Sequence, residues 1–234
     1  MSRETESTPR VAAVLPAGGS GSRMGGVRKQ YLELRGEPIL LRAVRPFLDH
    51  HRVEWVVVAL PPEDVTDAPS FLPPEVIVVE GGANRGDSVR RGLGAVPDAA
   101  EVVVIHDAVR PLVSISMLDR VIAAVTPGAG AIAALPVADT LKRVGPDGVI
   151  TGTVERAGLW RAQTPQGFPR SMIAEAYRRA AVDGIVATDD AALAERYGGR
   201  VIVVEGDPAN VKITRPEDLE LAERLLPPSS AEWR

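Results

Sequence analysis

The chain of 234 residues contains no cysteine and no long apolar run. Without cysteine it can form neither disulfides nor a thiolate metal site, and it has no thiol nucleophile. A bilayer-spanning helix needs about 20 consecutive apolar residues, so we expect no membrane span and no membrane partner. Residues 1–10 are polar and lack the apolar core of a signal peptide. We therefore expect a disordered N-terminal segment and a cytoplasmic protein.

Lysine is scarce in this chain. Only Lys29, Lys142 and Lys212 occur, against 24 arginines. An ammonium and a planar guanidinium are not interchangeable, so the retained lysines could mark sites where a guanidinium does not fit. Codon bias explains the same composition, and both explanations stay open at this point. Lys29 and Lys212, however, lie in segments that have the features of phosphate-binding loops.

The charge balance is slightly acidic, with a formal net charge of −4. General nucleic-acid binders usually carry a basic surface, so no nucleic-acid partner is expected. A hydrophobic content of 45% and a charged content of 25% are typical of a globular protein. If the protein binds anions, a few placed cations must hold them.

Short apolar runs rich in valine and isoleucine alternate with segments that carry helical signals. Because these runs lack polar alternation, they predict strands buried on both faces, as in a parallel sheet. The expected strands are residues 11–15, 55–60, 76–79, 102–105, 131–135 and 201–204. Helices are expected to begin at Ser88, at Ser114, within 187–190 and within 214–217. This alternation predicts an α/β layered fold.

Residues 137–155 break this alternation. They have no helical period and contain the turn sequence Gly-Pro-Asp-Gly at 145–148, which predicts a hairpin. We expect a single domain over residues 11–226, with this hairpin as an arm. The arm either meets a partner subunit or remains a surface feature. The tail at 227–234 is expected to fray.

A glycine-rich loop follows the first expected strand. Residues 17–26 read Ala-Gly-Gly-Ser-Gly-Ser-Arg-Met-Gly-Gly, and glycines allow backbone amides to approach phosphate oxygens. The loop matches neither common nucleotide motif, because Met24 replaces the third glycine of G-x-G-x-x-G and Val27 stands where a P-loop has lysine. Arg23 and Lys29 add two cations, which suits the binding of a triphosphate. The alternative is a flexible turn with solvated charges.

A carboxylate follows the fourth expected strand directly. Ligands of open α/β sheets gather at the carboxyl ends of strands, so Asp107 could hold Mg²⁺ against phosphate oxygens. A turn or cap role is the alternative for Asp107, and His106 beside it is either a general base or a structural residue. Near the end of the chain, Asn210 and Lys212 share one side of an extended segment. They could meet a phosphate and a metal together, or the loop could brace the last helix.

These motifs occur in a fixed order together with several others. The order runs L-x-A-G-G-x-G-x-R-M-G, K-Q-Y-L, G-G-x-x-R-x-D-S-V, V-I-H-D-A-V-R-P, D-T-L-K, R-x-G-L-W…Q-T-P-Q-x-F, T-D-D and N-V-K-I-T-R-P-E-D-L. Over residues 11–226 the chain closely resembles the 2-C-methyl-D-erythritol 4-phosphate cytidylyltransferase family. The V-I-H-D-A-V-R-P stretch and the K-Q pair are the most diagnostic pieces.

The resemblance implies that CMP is transferred from CTP to 2-C-methyl-D-erythritol 4-phosphate, with release of pyrophosphate, in non-mevalonate isoprenoid biosynthesis. It also implies a Rossmann-like, mostly parallel sheet with flanking helices and a projecting β-arm. Mg²⁺ is the implied cofactor, and a homodimer formed through the arm is the implied assembly.

The same resemblance assigns roles to individual residues of this sequence. The cations around the phosphates would be Arg23, Lys29 and Lys212, with Asp107 as the metal ligand. The nucleotide would be contacted by Ala17, Gly18, Gly19, Gly21, Gly81, Gly82 and Ser88. The acceptor would be contacted by Thr164 and Thr188, and by Thr140 and Arg156 from the arm of the partner. One departure, Ala83-Asn84 in place of commonly acidic residues, leaves base recognition open.

The chemistry of this reaction agrees with the residues present. The acceptor phosphate is already an anionic nucleophile, so no general base is needed, and catalysis rests on in-line positioning and charge cancellation. Two other functions remain open: a cytidylyltransferase for another polyol phosphate, such as ribitol 5-phosphate, and a non-catalytic nucleotide-binding sensor or structural subunit. Loss of catalysis would be expected to erode the site residues, yet Arg23, Lys29, Asp107 and Lys212 are all present.

Overall fold

The structure is a computed structural model that describes residues 8–19 and 28–226. Within these two ranges, no helix has the length and apolar character that crossing a membrane requires. The expected disordered segment at 1–10 and the expected frayed tail at 227–234 lie mostly or wholly outside the described residues.

Eleven strands and six α-helices are described within these ranges. The strands are β1 (Val11–Pro16), β2 (Glu33–Leu34), β3 (Glu37–Pro38), β4 (Val53–Leu60), β5 (Ile77–Glu80), β6 (Val102–Ile105), β7 (Ala129–Pro136), β8 (Leu141–Val144), β9 (Ile150–Val154), β10 (Trp160–Pro169) and β11 (Arg200–Glu205). The helices are α1 (Ile39–Leu48), α2 (Arg85–Ala95), α3 (Ile115–Ala124), α4 (Arg170–Asp183), α5 (Asp190–Arg196) and α6 (Pro216–Leu225).

Seven of these strands form one sheet in the order β11-β7-β10-β6-β1-β4-β5. Strand β10 runs antiparallel to both of its neighbours, whereas the other pairs in the sheet are parallel. The predicted α/β fold with a mostly parallel sheet is therefore confirmed. Each of the six predicted strands is present, and its ends lie within two residues of the predicted ends.

The core lies on both faces of this sheet, as expected for strands without polar alternation. Successive side chains of β1 point to opposite faces. Val11, Ala13 and Leu15 pack on the face covered by α1 and α3, and Ala12 and Val14 pack on the face covered by α2, α4 and α5. All five are completely buried. This two-sided burial fixes the carboxyl end of β1, from which the glycine-rich loop departs.

Strand β10 was missed from the sequence. Its second half reads Gln-Thr-Pro-Gln-Gly-Phe-Pro, a composition that does not suggest a strand. Pairing with β7 is irregular between Ala162 and Gln166, and the Thr164–Pro165 peptide bond is cis. Because the strand is inserted between β6 and β7, it brings Thr164 beside the loop that follows β6.

Three of the four predicted helix starts were correct, including that of α6 at Pro216, and one was shifted. Ser114 caps α3, and Asp189 caps α5 through the amide of Ala192. Helix α2 begins at Arg85, three residues before the predicted start at Ser88, because the Asn84 side chain accepts a hydrogen bond from the amide of Asp87. At α6 the capping carboxylate belongs to Asp218 and not to Glu217.

The predicted hairpin is confirmed as a two-stranded antiparallel sheet of β8 and β9, separate from the main sheet. Its turn contains Gly148 at a φ of 80°, a conformation that favours glycine. Most residues of the hairpin are exposed, including the apolar side chains of Val144, Val149 and Ile150. The hairpin therefore forms the arm that the sequence predicted.

Candidate active site

A cavity of about 440 Å³, called here the main cavity, opens at the carboxyl ends of β1, β5 and β6. It is lined by segments that are distant in sequence: residues 16–19, 29–30, 82–85 with 88, 107–109, and 212 with 214. Eight predicted site residues are therefore brought together here. They are Ala17, Gly18, Gly19, Lys29, Gly82, Ser88, Asp107 and Lys212.

Two glycine segments approach each other closely at this cavity. A Cβ on Gly81 would lie 2.9 Å from the Leu60 carbonyl oxygen and 3.2 Å from the Gly18 Cα, so Gly81 serves close backbone packing. Gly81 itself is not among the residues that line the main cavity. A Cβ on Gly82 would lie 2.1 Å from the Asp87 Cβ, which leaves no space for a side chain. Close packing of the protein around this cavity therefore requires glycine at both positions.

The Ser88 hydroxyl holds the turn between β5 and α2. It accepts a hydrogen bond from the Gly82 amide and donates one to the Asn84 carbonyl, both at 3.0 Å. Ser88 is also almost completely buried, at 2% exposure. The turn directs the N-terminus of α2 toward the main cavity, where the helix dipole favours an anion.

Lys29 begins a single 3-10 turn, Lys29–Tyr31, at the edge of the cavity. The buried Gln30 amide donates to the Ala17 carbonyl at 2.9 Å and to the Gly19 carbonyl at 3.4 Å. The K-Q pair of the sequence therefore has a structural reason, because Gln30 fastens the lysine to the start of the glycine-rich loop. Arg23 and Gly21, which were predicted from the same loop, lie outside the described residues.

Asp107 lies at the centre of a cluster of cations. Its Oδ1 accepts from Arg85 Nε at 2.8 Å, its Oδ2 lies 2.8 Å from Lys212 Nζ, and Arg110 Nε lies 3.6 Å away. Burial raises the pKa of the Asp107 carboxyl, but the charges of Arg85 and Lys212 outweigh burial and hold that pKa well below its ordinary value. Asp107 is therefore ionised at neutral pH.

Arg85 and Asp190 were not predicted as site residues. Arg85 Nη1 and Nη2 donate to the two carboxylate oxygens of Asp190 at 3.0 and 2.7 Å, while its Nε holds Asp107. Asp190 is completely buried and accepts a third hydrogen bond from Tyr177 Oη at 2.6 Å. Arginine at the start of a helix is unfavourable to the dipole, and this was a signal that Arg85 has a tertiary partner.

His106 is a structural residue. Its Nε2 lies 3.0 Å from the Arg110 carbonyl and its Nδ1 lies 3.1 Å from Thr164 Oγ1. Burial lowers the pKa of His106 to about 4, so the ring is neutral at pH 7. The Asp107 amide also donates to Thr164 Oγ1 at 3.0 Å. Thr164, predicted as an acceptor contact, therefore holds the loop that carries Asp107.

A side cavity of about 330 Å³ adjoins the main cavity. The two predicted acceptor residues Thr164 and Thr188 both line it. Arg85, Asp107 and Lys212 line the main cavity as well as the side cavity. These three residues therefore form the wall at which ligands of the two cavities would meet.

Asn210 and Lys212 do not act on the same ligand. Asn210 is completely buried, and its Nδ2 donates to the Thr164 carbonyl at 2.7 Å. The Lys212 side chain is 40% exposed and paired with Asp107. The interpretation of this loop as a joint phosphate and metal site was thus wrong for Asn210, which braces the Thr164 segment, while Lys212 faces both cavities.

The two arm residues predicted for the acceptor lie away from the site of their own chain. Thr140 and Arg156 are exposed, and neither lines the main or the side cavity. The Arg156 guanidinium hydrogen-bonds to the Ala138 carbonyl at the base of the arm.

Asp107 fits a magnesium ion only as one ligand among phosphate oxygens, because the charged groups next to it are the cations Arg85, Arg110 and Lys212. Asp107 is the only carboxylate among the described residues that line the main cavity. Mg²⁺ is commonly bound by one or two carboxylates together with substrate phosphates. In the described part of the chain, the one group of three potential ligands, His50, His51 and Asp119, lies outside this cavity. Asp107 could therefore serve only together with phosphate oxygens.

The cavity has a wall of glycines, two lysines and one carboxylate, and it opens at the carboxyl ends of parallel strands. These features define a nucleotide-binding α/β protein of the nucleotidyltransferase class. Comparison with protein families gives the particular group: residues 11–227 match the family described as IspD, 2-C-methyl-D-erythritol 4-phosphate cytidylyltransferase. The chain belongs to this family, as its motifs predicted.

Individual relatives agree with this assignment. The chain is 45% identical over 218 residues to the 2-C-methyl-D-erythritol 4-phosphate cytidylyltransferase of Symbiobacterium thermophilum, covering 92% of each chain. It is 50% identical over 222 residues to the bifunctional enzyme IspD/IspF of Rhodospirillum rubrum, covering 93% of this chain and 57% of that protein. The crystal structure of the Thermus thermophilus cytidylyltransferase superposes with a TM-score of 0.77 at 35% identity, covering 91% of this chain and 96% of that one.

Proposed function

We propose that this chain transfers CMP from CTP to 2-C-methyl-D-erythritol 4-phosphate and releases pyrophosphate. The observation that carries the proposal is the pair of adjoining cavities that share Lys212, Asp107 and Arg85. A nucleotide bound in the main cavity and an acceptor bound in the side cavity would meet at this wall. Family membership supplies the identities of the nucleotide and the acceptor.

The reaction needs an approach in line and no proton transfer. An oxygen of the acceptor phosphate attacks the α-phosphorus of CTP, and the bond from that phosphorus to the β-phosphate oxygen breaks. The electron pair leaves with pyrophosphate, so neither side requires a general base or acid. His106 agrees with this chemistry, because both of its ring nitrogens face internal partners and its low pKa keeps it neutral.

Charge cancellation is the main task of the protein. Glycines 18, 19 and 21 would admit the triphosphate to backbone amides, with Arg23 and Lys29 as its cations. Lys212 would stabilise the α-phosphate as its charge grows in the transition state. The Lys212 ammonium is paired with Asp107, yet 40% of its side chain is exposed, so it can turn toward a phosphate at small cost. The freely rotating N–H donors of an ammonium suit a phosphate group whose negative charge moves between its oxygens.

Asp107 would hold Mg²⁺ together with phosphate oxygens of CTP. When bound, the ion neutralises phosphate charge and polarises the α-phosphorus. The pKa of Asp107 stays far below neutrality, so the carboxylate carries its charge over the whole physiological range of pH. Gly81, Gly82 and Ser88 would form the pocket for the cytosine and ribose, mainly through backbone groups, since the Ser88 hydroxyl already serves the turn.

The acceptor site would be completed by a second copy of the chain in a homodimer. Thr164 and Thr188 belong to the side cavity, whereas Thr140 and Arg156 are exposed on the arm of the same chain. An arm that reaches the side cavity of its partner would bring Arg156 to the acceptor phosphate, for which the planar guanidinium is well suited. The exposed apolar side chains of the arm support such a contact.

A pyrophosphate-release assay with Mg²⁺ tests this function against its two alternatives. We expect release to require both CTP and 2-C-methyl-D-erythritol 4-phosphate. Comparable release with ribitol 5-phosphate would favour a different polyol phosphate as the substrate. Binding of CTP without release for any acceptor would indicate a non-catalytic nucleotide sensor.

A further inference from the structure

Arg85 occupies the boundary between the two cavities but uses its donors on protein carboxylates. Its Nε donates to Asp107 at 2.8 Å, and its Nη1 and Nη2 donate to Asp190 at 3.0 and 2.7 Å. Only 29% of its side chain is exposed, although the residue lines both cavities. Three of the five guanidinium N–H groups are thus directed away from any ligand.

The Asp190 end of this contact is rigid. Asp190 is completely buried, it is the first residue of α5, and it also accepts from Tyr177 Oη at 2.6 Å. The two-point contact between a guanidinium and a carboxylate fixes both orientation and distance. Asp190 lies next to the Thr188 segment, so the same contact joins the metal carboxylate to the acceptor wall.

Two cations, Arg85 and Lys212, contact the Asp107 carboxylate, and they differ in how freely their side chains can move. Lys212 reaches Asp107 through a flexible stem and is 40% exposed, so an incoming phosphate can draw the ammonium away. Arg85 cannot follow, because its guanidinium is held by Asp190, which is itself held by the Tyr177 hydroxyl. Asp107 would then keep one fixed partner while its other partner turns toward the substrate.

We infer that Arg85 is a positioning residue, which holds the Asp107 carboxylate toward the metal–triphosphate while Asp190 and Tyr177 keep the guanidinium away from the phosphates. The inference rests on the proposed function, since it names what supports the metal carboxylate of that site. Outer partners of a metal ligand typically change metal affinity by about 10- to 100-fold when they are replaced.

Calorimetric titration of CTP, with and without Mg²⁺, measures this role without turnover. The variant Arg85→Lys keeps the charge but cannot span two carboxylates at once. The ratio of CTP affinity with Mg²⁺ to CTP affinity without it is the gain that Mg²⁺ provides. We expect this gain to be at least about tenfold smaller in Arg85→Lys than in the parent protein. CTP affinity without metal should be unchanged or tighter, because the lysine is free to meet a phosphate. The matched control is Arg91→Lys on the same helix, where the exposed Arg91 pairs only with Glu80 among the contacts described.

Two outcomes would overturn the inference. An unchanged Mg²⁺-dependent gain in folded Arg85→Lys would show that Asp107 needs no fixed partner. A loss of CTP affinity in the absence of metal would make Arg85 a direct phosphate ligand instead. If Arg85→Lys does not fold, Tyr177→Phe decides: loss of its one hydrogen bond to Asp190 should lower the gain about two- to fivefold, and no change would refute the inference. Pyrophosphate release by the parent protein reports on the proposed function separately.

Discussion

Replacing Lys212 by alanine is expected to reduce catalysis strongly and stability only slightly. The Lys212 ammonium lies 2.8 Å from Asp107 Oδ2, at the wall shared by the two cavities. Removal of a preorganised group that stabilises transition-state charge costs about 10²–10³ in rate, or about 2.7–4 kcal/mol. We expect a loss of turnover in this range or beyond it.

The effect on stability follows from exposure and from the remaining partners. The Lys212 side chain is 40% exposed, so solvent partly screens its pair with the buried Asp107, and we expect this pair to contribute about 1 kcal/mol to the free energy of unfolding. Asp107 keeps Arg85 at 2.8 Å, so its buried charge is not left unpaired. A loss of about 1 kcal/mol would lower the melting temperature by about 2–4 °C in a protein of this size.

Steady-state pyrophosphate release and thermal denaturation, measured on the same preparations, check both parts. Lys142→Ala is the matched control, because Lys142 lies on the arm and donates to Thr153 Oγ1 at 2.6 Å. The control should keep turnover close to that of the parent. If Lys212→Ala also turned over at nearly the parent rate, the transition-state role of this ammonium would be refuted.

Three further predictions address the other lysine, the dimer and the buried histidine. Lys29→Arg should lower kcat at least about tenfold despite the conserved charge, because a planar guanidinium replaces a compact ammonium; full activity would attribute the scarcity of lysine to codon bias. Asp107→Ala and Arg156→Ala should each be inactive alone, yet purified heterodimers of the two should recover about half of the parent activity, since one of the two sites is then intact; heterodimers without activity would count against an intersubunit site. The pKa of His106 is lowered to about 4, so the unfolded chain binds an extra proton between about pH 6.5 and 4, and the free energy of unfolding should fall by about 3 kcal/mol as the pH falls through this window. His106→Gln should flatten this dependence in denaturant titrations, whereas the same slope in His106→Gln and in the control His51→Gln would disprove the assignment.

Most strands of the main sheet could be predicted because burial on both faces requires apolar residues at successive positions. Strands such as β1 and β6 are covered by helices on both faces, so their residues are almost uniformly apolar. Strand β10 shows no such pattern, because its residues Gln163 and Gln166 are buried through hydrogen bonds and not through apolar contact. A polar residue that becomes buried by pairing with distant groups cannot be distinguished from a loop residue in one sequence.

Some residues of the candidate site could be predicted from the sequence, and others could not. Gly18, Asp107 and Lys212 could be proposed because each stands in a segment with local features of a ligand-binding loop. Arg85 and Asp190 could not, because they are 105 positions apart. An arginine at a helix start indicates that a tertiary partner exists, but the sequence does not show which residue it is. The roles of Thr140 and Arg156 stay predictions, since they depend on a second copy of the chain.

The central claim, transfer of CMP to 2-C-methyl-D-erythritol 4-phosphate, is tested most directly by following CTP that is radiolabelled at the α-phosphate. With Mg²⁺ and this acceptor, the label should move into a single product whose mass and ³¹P spectrum correspond to a diphosphate joining cytidine and methylerythritol, with equimolar pyrophosphate. Label that remained in CTP, or that appeared as free CMP with no conjugate, would contradict the account.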